Sequence, residues 1–359
     1  MSDPMNFDKD FEKDFGPHDE EKDFDPHGKD AVEDFASRFE KAFGSGSSPA
    51  EPSDVADVVR QQSWPASGPA ELEVALDVGR IIVRLAEQDG DEGEVRVEVR
   101  HDPAAGTGWA QGMRTVLSFL GSQPHGPDPD FFNASGLAAE AVRATRIEWS
   151  EPGRRLVVRS PGDLPLRAVP LAITVSAPPQ SRLAARAGAG DVRVTGSAGW
   201  AAVRTGSGTA SVQAVDGDAD VVAGSGDIDL GPVTGRARVR SGSGAVRLAA
   251  VGGPTEVKSG SGDITVAEVA ADLGVRTGSG DIAVHDARSG RIDLTTGSGG
   301  MRIGVHPGTR AELDLSTGSG KARSDLEVGD RAPEQPAVLR VRGRSGSGDV
   351  LVTRAAVTA

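Results

Sequence analysis

Cysteine and tyrosine are absent from this chain of 359 residues, and aromatics make up only 4% of it. Without cysteine there can be no disulfide and no thiolate metal site. No apolar run approaches the roughly 20 residues of a membrane-spanning helix. The acidic N-terminus has no hydrophobic stretch of the classical signal-peptide kind, so a cytoplasmic location is expected. Cationic excess is also lacking: the formal net charge is −14, and residues 1 to 40, with fourteen Asp and Glu against five Lys and Arg, hold −9 of it. That balance argues against nucleic acid as a partner, because binding it needs a concentrated basic surface, and against anionic membrane for the tail.

Glycine is what the chain has in abundance, 48 residues of it. Along its second half, nine glycine-small-glycine triplets begin at Gly188, Gly206, Gly224, Gly242, Gly260, Gly278, Gly297, Gly318 and Gly346; the first five intervals are 18 residues, then 19, 21 and 28. A period this regular, too short for an independent fold, marks one coil of a solenoid that buries its apolar face by stacking on its neighbours. Each coil carries two alternating runs, such as Asp227–Leu230 and Arg236–Arg240, with inward aliphatics and outward charges. The register is kept from coil to coil: Val192/Val194, Ile228/Leu230, Val246/Leu248, Ile264/Val266 and Ile282/Val284 in one run, Val203, Val221, Val239, Val257, Val275, Leu294 and Leu315 in the other. A second glycine corner recurs at Gly199, Gly217, Gly235 and Gly253. The pattern predicts an all-β chain, a flattened or triangular parallel β-solenoid with about 18 residues per coil, its corner glycines taking positive φ.

Five segments are expected. Residues 1–28, with the near-repeat Lys13–His18 and Lys22–His27, form a disordered acidic tail. Residues 29–43 form an amphipathic helix with Val32, Phe35, Ala36, Phe39 and Phe43 on one side. Too short to be secure alone in water, it either caps its own solenoid or docks elsewhere. Residues 44–69 are a linker. Residues 70–183 form N-terminal β-coils with a helical insertion at about 102–145, and residues 184–356 the regular solenoid. Within the insertion, helices are expected at Gln111–Leu120 and near Leu137–Arg143. Its Trp109, Phe119, Phe131 and Phe132 cover a solenoid end or line a groove. The wide spacing before Gly346, with Pro333 and Pro336 in it, predicts a loop insertion near the other end.

Seven of the ten phenylalanines lie in residues 1 to 43. Phe7, Phe11, Phe15, Phe24, Phe35, Phe39 and Phe43 are therefore the candidate docking anchors for a protein partner.

Reacting groups are harder to find. Thr317-Gly318-Ser319-Gly320-Lys321 has the look of a phosphate loop, but Leu315 stands where its first glycine belongs and Ala322 where the magnesium-binding hydroxyl belongs. Calcium-binding nonapeptide coils need Gly-Gly-x-Gly-x-Asp, whereas here aspartate follows the second glycine directly. Asp227, Asp263 and Asp281 form one outward row, and Arg204, Arg240, Lys258 and Arg276 another, interrupted by Thr209, Ala245 and Val222. Such rows are either solvated faces or a carbohydrate-binding or lyase surface. The six histidines, His18, His27, His101, His125, His285 and His306, are scattered. No Gly-x-Ser-x-Gly elbow or His-Glu-x-x-His pair occurs. No cofactor, metal site or enzyme activity is expected.

The Thr/Ser-Gly-Ser-Gly-Asp-Ile/Val pattern at Ser259–Ile264, Thr277–Ile282 and Ser345–Val350 resembles the bacterial DUF4097 family, labelled "putative adhesin" and also described as the toast-rack domain. The resemblance spans about Glu71 to Arg354. It implies a non-enzymatic β-solenoid, some relatives of which accompany envelope-stress systems together with membrane proteins. The expected function is a scaffold or interaction module whose N-terminal tail recruits a partner. The alternative is a bactofilin-like protein that self-assembles end to end.

Overall fold

A computed structural model describes residues 58–86, 93–102, 134–326 and 336–356. The chain divides into two compact units, Met1–Val55 and Ala56–Ala359, and the described residues all fall in the second. The expected tail, the 29–43 helix and the Gln111–Leu120 helix lie outside the described residues.

The N-terminal end mixes parallel and antiparallel pairs. β1 (Val59–Pro65) pairs antiparallel with β3 (Glu94–His101), and β3 with β6 (Leu171–Ala177). β2 (Glu71–Leu85) is one continuous strand of 15 residues. It bends at Gly79, whose φ is +126° and where a Cβ would fall 1.9 Å from the Leu171 carbonyl oxygen. Its first half pairs with β5 (Arg155–Arg159), which carries β4 (Arg146–Ser150) antiparallel at its far edge. Its second half pairs with β6. The expected segment near Leu137–Arg143 is helix α1, Ala134–Ala144.

β1 sits inside the 44–69 stretch expected to be a linker. Its Gln-Gln-Ser centre hides the alternation, but Trp64 stacks on Trp149 of β4 with ring centroids 5.8 Å apart, and the Arg60 guanidinium donates to the carbonyls of Arg143 and Thr145. These contacts tie the two edge strands together at this end.

From β7 (Arg182–Ala198) onward the regular coil takes over, in register with β2 along its length. One face is built by β8 (Trp200–Thr205), β10 (Ala219–Ala223), β12 (Ala237–Ser241), β14 (Thr255–Ser259), β16 (Leu273–Thr277) and β18 (Gly290–Thr296). The other is built by β9 (Ala210–Val215), β11 (Ile228–Leu230), β13 (Val246–Val251), β15 (Ile264–Val269), β17 (Ile282–Ala287) and β19 (Met301–Val305). All pair in parallel, so like residues stack on like. The aliphatic columns are as expected: Val203, Val221, Val239, Val257 and Val275 are at most 1% exposed.

The corner glycines serve a different need from the one expected. Positive φ occurs at Gly68, Gly79, Gly196, Gly290 and Gly308, none of them a triplet glycine. A Cβ at Gly226 would lie 1.9 Å from the carbonyl oxygen of Gly208, and one at Gly262 1.9 Å from that of Gly244. The triplets are glycine because consecutive corners touch backbone to backbone.

The last coils are stacked out of chain order. β22 (Leu339–Ser345) pairs with β18 on one side and with β20 (Ala311–Thr317) on the other, and β23 (Val350–Arg354) likewise lies between β19 and β21 (Ala322–Ser324). The chain steps over one rung and later fills it, which accounts for the 21- and 28-residue intervals that predicted only a loop. Side-chain chemistry explains the order: Val350 and Val352 are fully buried inside the stack, whereas Ala322 and Ser324, poor core residues, stand exposed on the final rung. Gly343 occupies the valine column of the inserted rung, and its missing side chain leaves room for Leu315, Val350 and Met301, which a Cβ would meet at 3.2–3.5 Å.

Gly343→Val restores the column's usual residue and is expected to destabilise the chain by about 1–3 kcal/mol through overpacking. Urea unfolding of the two proteins measures this.

Candidate interaction surface

The corner motif can be taken residue by residue. Its first position is a buried hydroxyl. Thr296 Oγ1, 2% exposed as a residue, accepts the Gly299 N–H at 3.0 Å and donates to the Gly280 carbonyl of the preceding rung at 3.0 Å. Thr205, Thr317 and Ser345 repeat both bonds. The two glycines follow from the close approach above.

The aspartate after the second glycine reaches across to the next rung. Asp191 Oδ1 accepts the N–H of Thr209 at 2.8 Å, Asp227 that of Ala245 at 2.9 Å, Asp263 that of Asp281 at 2.8 Å, Asp281 that of Gly300 at 2.7 Å, and Asp349 that of Lys321 at 2.8 Å. Asp218 and Asp272 do the same at the second corner, for Arg236 and Arg291. The acidic row is thus a ladder of strand-start acceptors, charge-assisted and running from rung to rung. Its breaks at Thr209 and Ala245 fall where the preceding rung supplies the carboxylate. The phosphate-loop look-alike is one more such corner, its Gly320 and Lys321 N–H groups already bonded to Thr317 and Asp349.

One motif side chain makes no hydrogen bond among the described residues, although its backbone N–H often reaches the rung before, as Ser243 does to the Gly224 carbonyl. The middle serines Ser207, Ser225, Ser243, Ser261, Ser279, Ser298, Ser319 and Ser347 are all exposed.

The basic row is real and longer than the sequence implied. Arg186, Arg204, Val222, Arg240, Lys258, Arg276, Thr295, Arg344 and Ser316 follow one another at one outward position, in rung order. Arg344 joins because β22 lies next to β18. The neighbouring outward row, Asp220, Arg238, Glu256, Gly274, Asp293, Arg342 and Asp314, alternates in sign. Gly274 opens a shallow groove there, walled by Arg238, Glu256, Arg291 and Asp293.

Buried carboxylates were the other place to look for chemistry, and both are held in ion pairs. Asp102, 5% exposed, is gripped by the guanidinium of Arg80 through two nitrogens. Glu73, 7% exposed, receives Arg155 at 2.7 Å and Arg159 at 2.5 Å. Burial pushes the Glu73 carboxyl up, but the two guanidinium hydrogen bonds and charges outweigh it and hold its pKa below the ordinary value. At the other end, His306 Nδ1 lies 2.9 Å from Asp286, which Arg288 also contacts. Burial raises the Asp286 carboxyl, and Arg288 and His306 together bring it below its usual range. No group of three or more His, Cys, Asp or Glu suited to a metal ion occurs among the described residues. The seven candidate phenylalanines fall outside the described residues, as do His18, His27 and His125.

Three substitutions in one coil separate these roles. Thr296→Val strands two buried backbone groups and is expected to cost about 2–3 kcal/mol, Asp281→Ala about 1 kcal/mol, and Ser298→Ala less than about 0.5 kcal/mol. Chemical denaturation ranks them.

Glu73 gives a pH test. Because its folded pKa is depressed, the stability it contributes is complete above the unfolded value of about 4.5 and is lost as pH falls through the folded value. The stability gap between the wild type and Glu73→Gln is expected to be constant at neutral pH and to narrow below about pH 4.5. Thermal melts across pH 3 to 7 would show it.

Residues 233–355 match the family model described as Toastrack DUF4097. Among solved structures the chain is similar to a "putative adhesin" from Bacteroides fragilis, 12% identical, covering 85% of this chain and 100% of that one with a TM-score of 0.38. It is also similar to a "putative cell adhesion protein" from Clostridium sporogenes, 8% identical, covering 83% and 100% with a TM-score of 0.19. A "putative adhesin" from Parabacteroides distasonis is 9% identical, covering 82% and 97% with a TM-score of 0.23. No protein of curated function matches. The stacked Thr/Ser-Gly-Ser-Gly-Asp corners and the match to the Toastrack DUF4097 model meet on the same stretch of chain, residues 233–355.

Proposed function

We propose that the chain is a non-enzymatic scaffold of the DUF4097 type, working in the cytoplasm, in which the solenoid presents straight rows of side chains and the N-terminal segment recruits a protein partner. The observation that supports it most is the strict rung register, which repeats each outward position at the strand spacing of ~4.8 Å and makes a rigid display surface. Its corner carboxylates and hydroxyls are engaged in holding rungs together, so they support a structural role for the motif. Recruitment through Phe7, Phe11, Phe15, Phe24, Phe35, Phe39 and Phe43 rests on their concentration in an acidic segment. Envelope-stress signalling is the setting in which we place it, by analogy with the relatives the motif brings to mind.

End-to-end self-assembly is the second reading. It is favoured by the final rung, where β20 and β21 pair on one edge only among the described residues.

Cross-linking and affinity capture from native cells, with the full chain and with one lacking residues 1–43, is expected to recover a partner only with the full chain. Recovery of the chain alone by both forms, with sedimentation that rises with concentration, would replace recruitment by self-assembly.

A further inference from the structure

The cation row holds side chains that the ion pairs of the fold leave over. Among the described residues, Arg240, Arg276 and Arg344 are exposed and make no ion pair, and no carboxylate shares their row. Arg204 and Lys258 complete it, each also near an acid of the adjoining row: Arg204 lies 3.9 Å from Asp220 and Lys258 2.6 Å from Glu256. From Arg204 to Arg344 the row runs six rung steps, about 29 Å at ~4.8 Å per step. Like charges held this close repel one another, and the adjoining row on the same face, Asp220 to Asp314, alternates in sign instead. A repeated basic position therefore fits an anionic ligand that spans several rungs.

The residue types narrow the ligand. Guanidinium groups match carboxylates bidentately. Three residues further along each rung, at the corner, the exposed middle serines, one per rung, offer neutral hydrogen-bonding groups that suit sugar hydroxyls. Bases would need aromatic platforms, and no aromatic residue follows Trp200 in the sequence.

We infer that the Arg204–Arg344 row is a binding track for a linear carboxylated polysaccharide, laid along the solenoid axis across the strands. The track does not involve residues 1–43, so it stands or falls separately from the recruitment proposed above.

Isothermal titration of the full chain with long oligogalacturonates at physiological salt is the test. The probes for comparison are polyglutamate, single-stranded DNA and a neutral galactan. Arg240→Gln/Arg276→Gln/Arg344→Gln is expected to bind roughly tenfold more weakly, from three exposed charge contacts. The matched triple variant Arg236→Gln/Arg238→Gln/Arg291→Gln, on the same face and with the same loss of charge, is expected to stay within about twofold. Replacing the three row arginines by lysine is expected to recover part of the binding, and unchanged melting temperatures establish that the variants fold. The inference is overturned if the wild type does not bind oligogalacturonate, if both glutamine variants weaken equally, or if polyglutamate, DNA or the neutral galactan binds as tightly.

Discussion

The distance at which one corner rests on the next governs this molecule. Rungs of a parallel stack sit ~4.8 Å apart, and at the corners the chain turns so sharply that even a Cβ would collide with the carbonyl below, as at Gly226 over Gly208. Glycine at those positions leaves the turn without side-chain packing, so its polar backbone has to be satisfied some other way. The buried hydroxyl of Thr296 and the carboxylate of Asp281 do that, one within the rung and across to the rung before, the other to the rung after. The aliphatic columns can then be thin, two or three residues per strand, because every rung is fixed at its corners as well as by its ladder.

Much of this was legible in the sequence because stacking repeats the same solution. The 18-residue period, the two strands per coil and the inward Val and Ile positions all follow from alternation and self-similarity. What was not legible was the reason behind each symbol. Positive φ and close approach both select glycine, and only coordinates separate them. The aspartate row read as a set of outward charges because period-two alternation places it outside, and nothing in one rung shows that its acceptor role concerns the following one. β1 was hidden by Gln61, Gln62 and Ser63 in a short strand at the end of the stack.

The rung order shows a different limit. Sequence reading assumes that consecutive repeats are neighbours, which holds from β8 to β18 and fails at β20. The clues were present: Lys321-Ala322-Arg323-Ser324 lacks the aliphatic pair that the other coils carry, and Gly343 stands where valine is the rule. A coil without core residues belongs at an end, whatever its place in the chain. The displaced order also brings Arg344 into line with Arg276 across Thr295, lengthening the basic row beyond what chain order would have given.

That displaced rung makes the stacking of residues 311–324 contingent on a segment made after them. As residues 311–324 are synthesised, the strands they will lie against do not yet exist, because that place belongs to residues 339–354. The stack can grow rung by rung through β19, then must wait with an exposed edge until the later segment arrives and slots between. Until it does, the edges of β18 and β19 have no partner on that side.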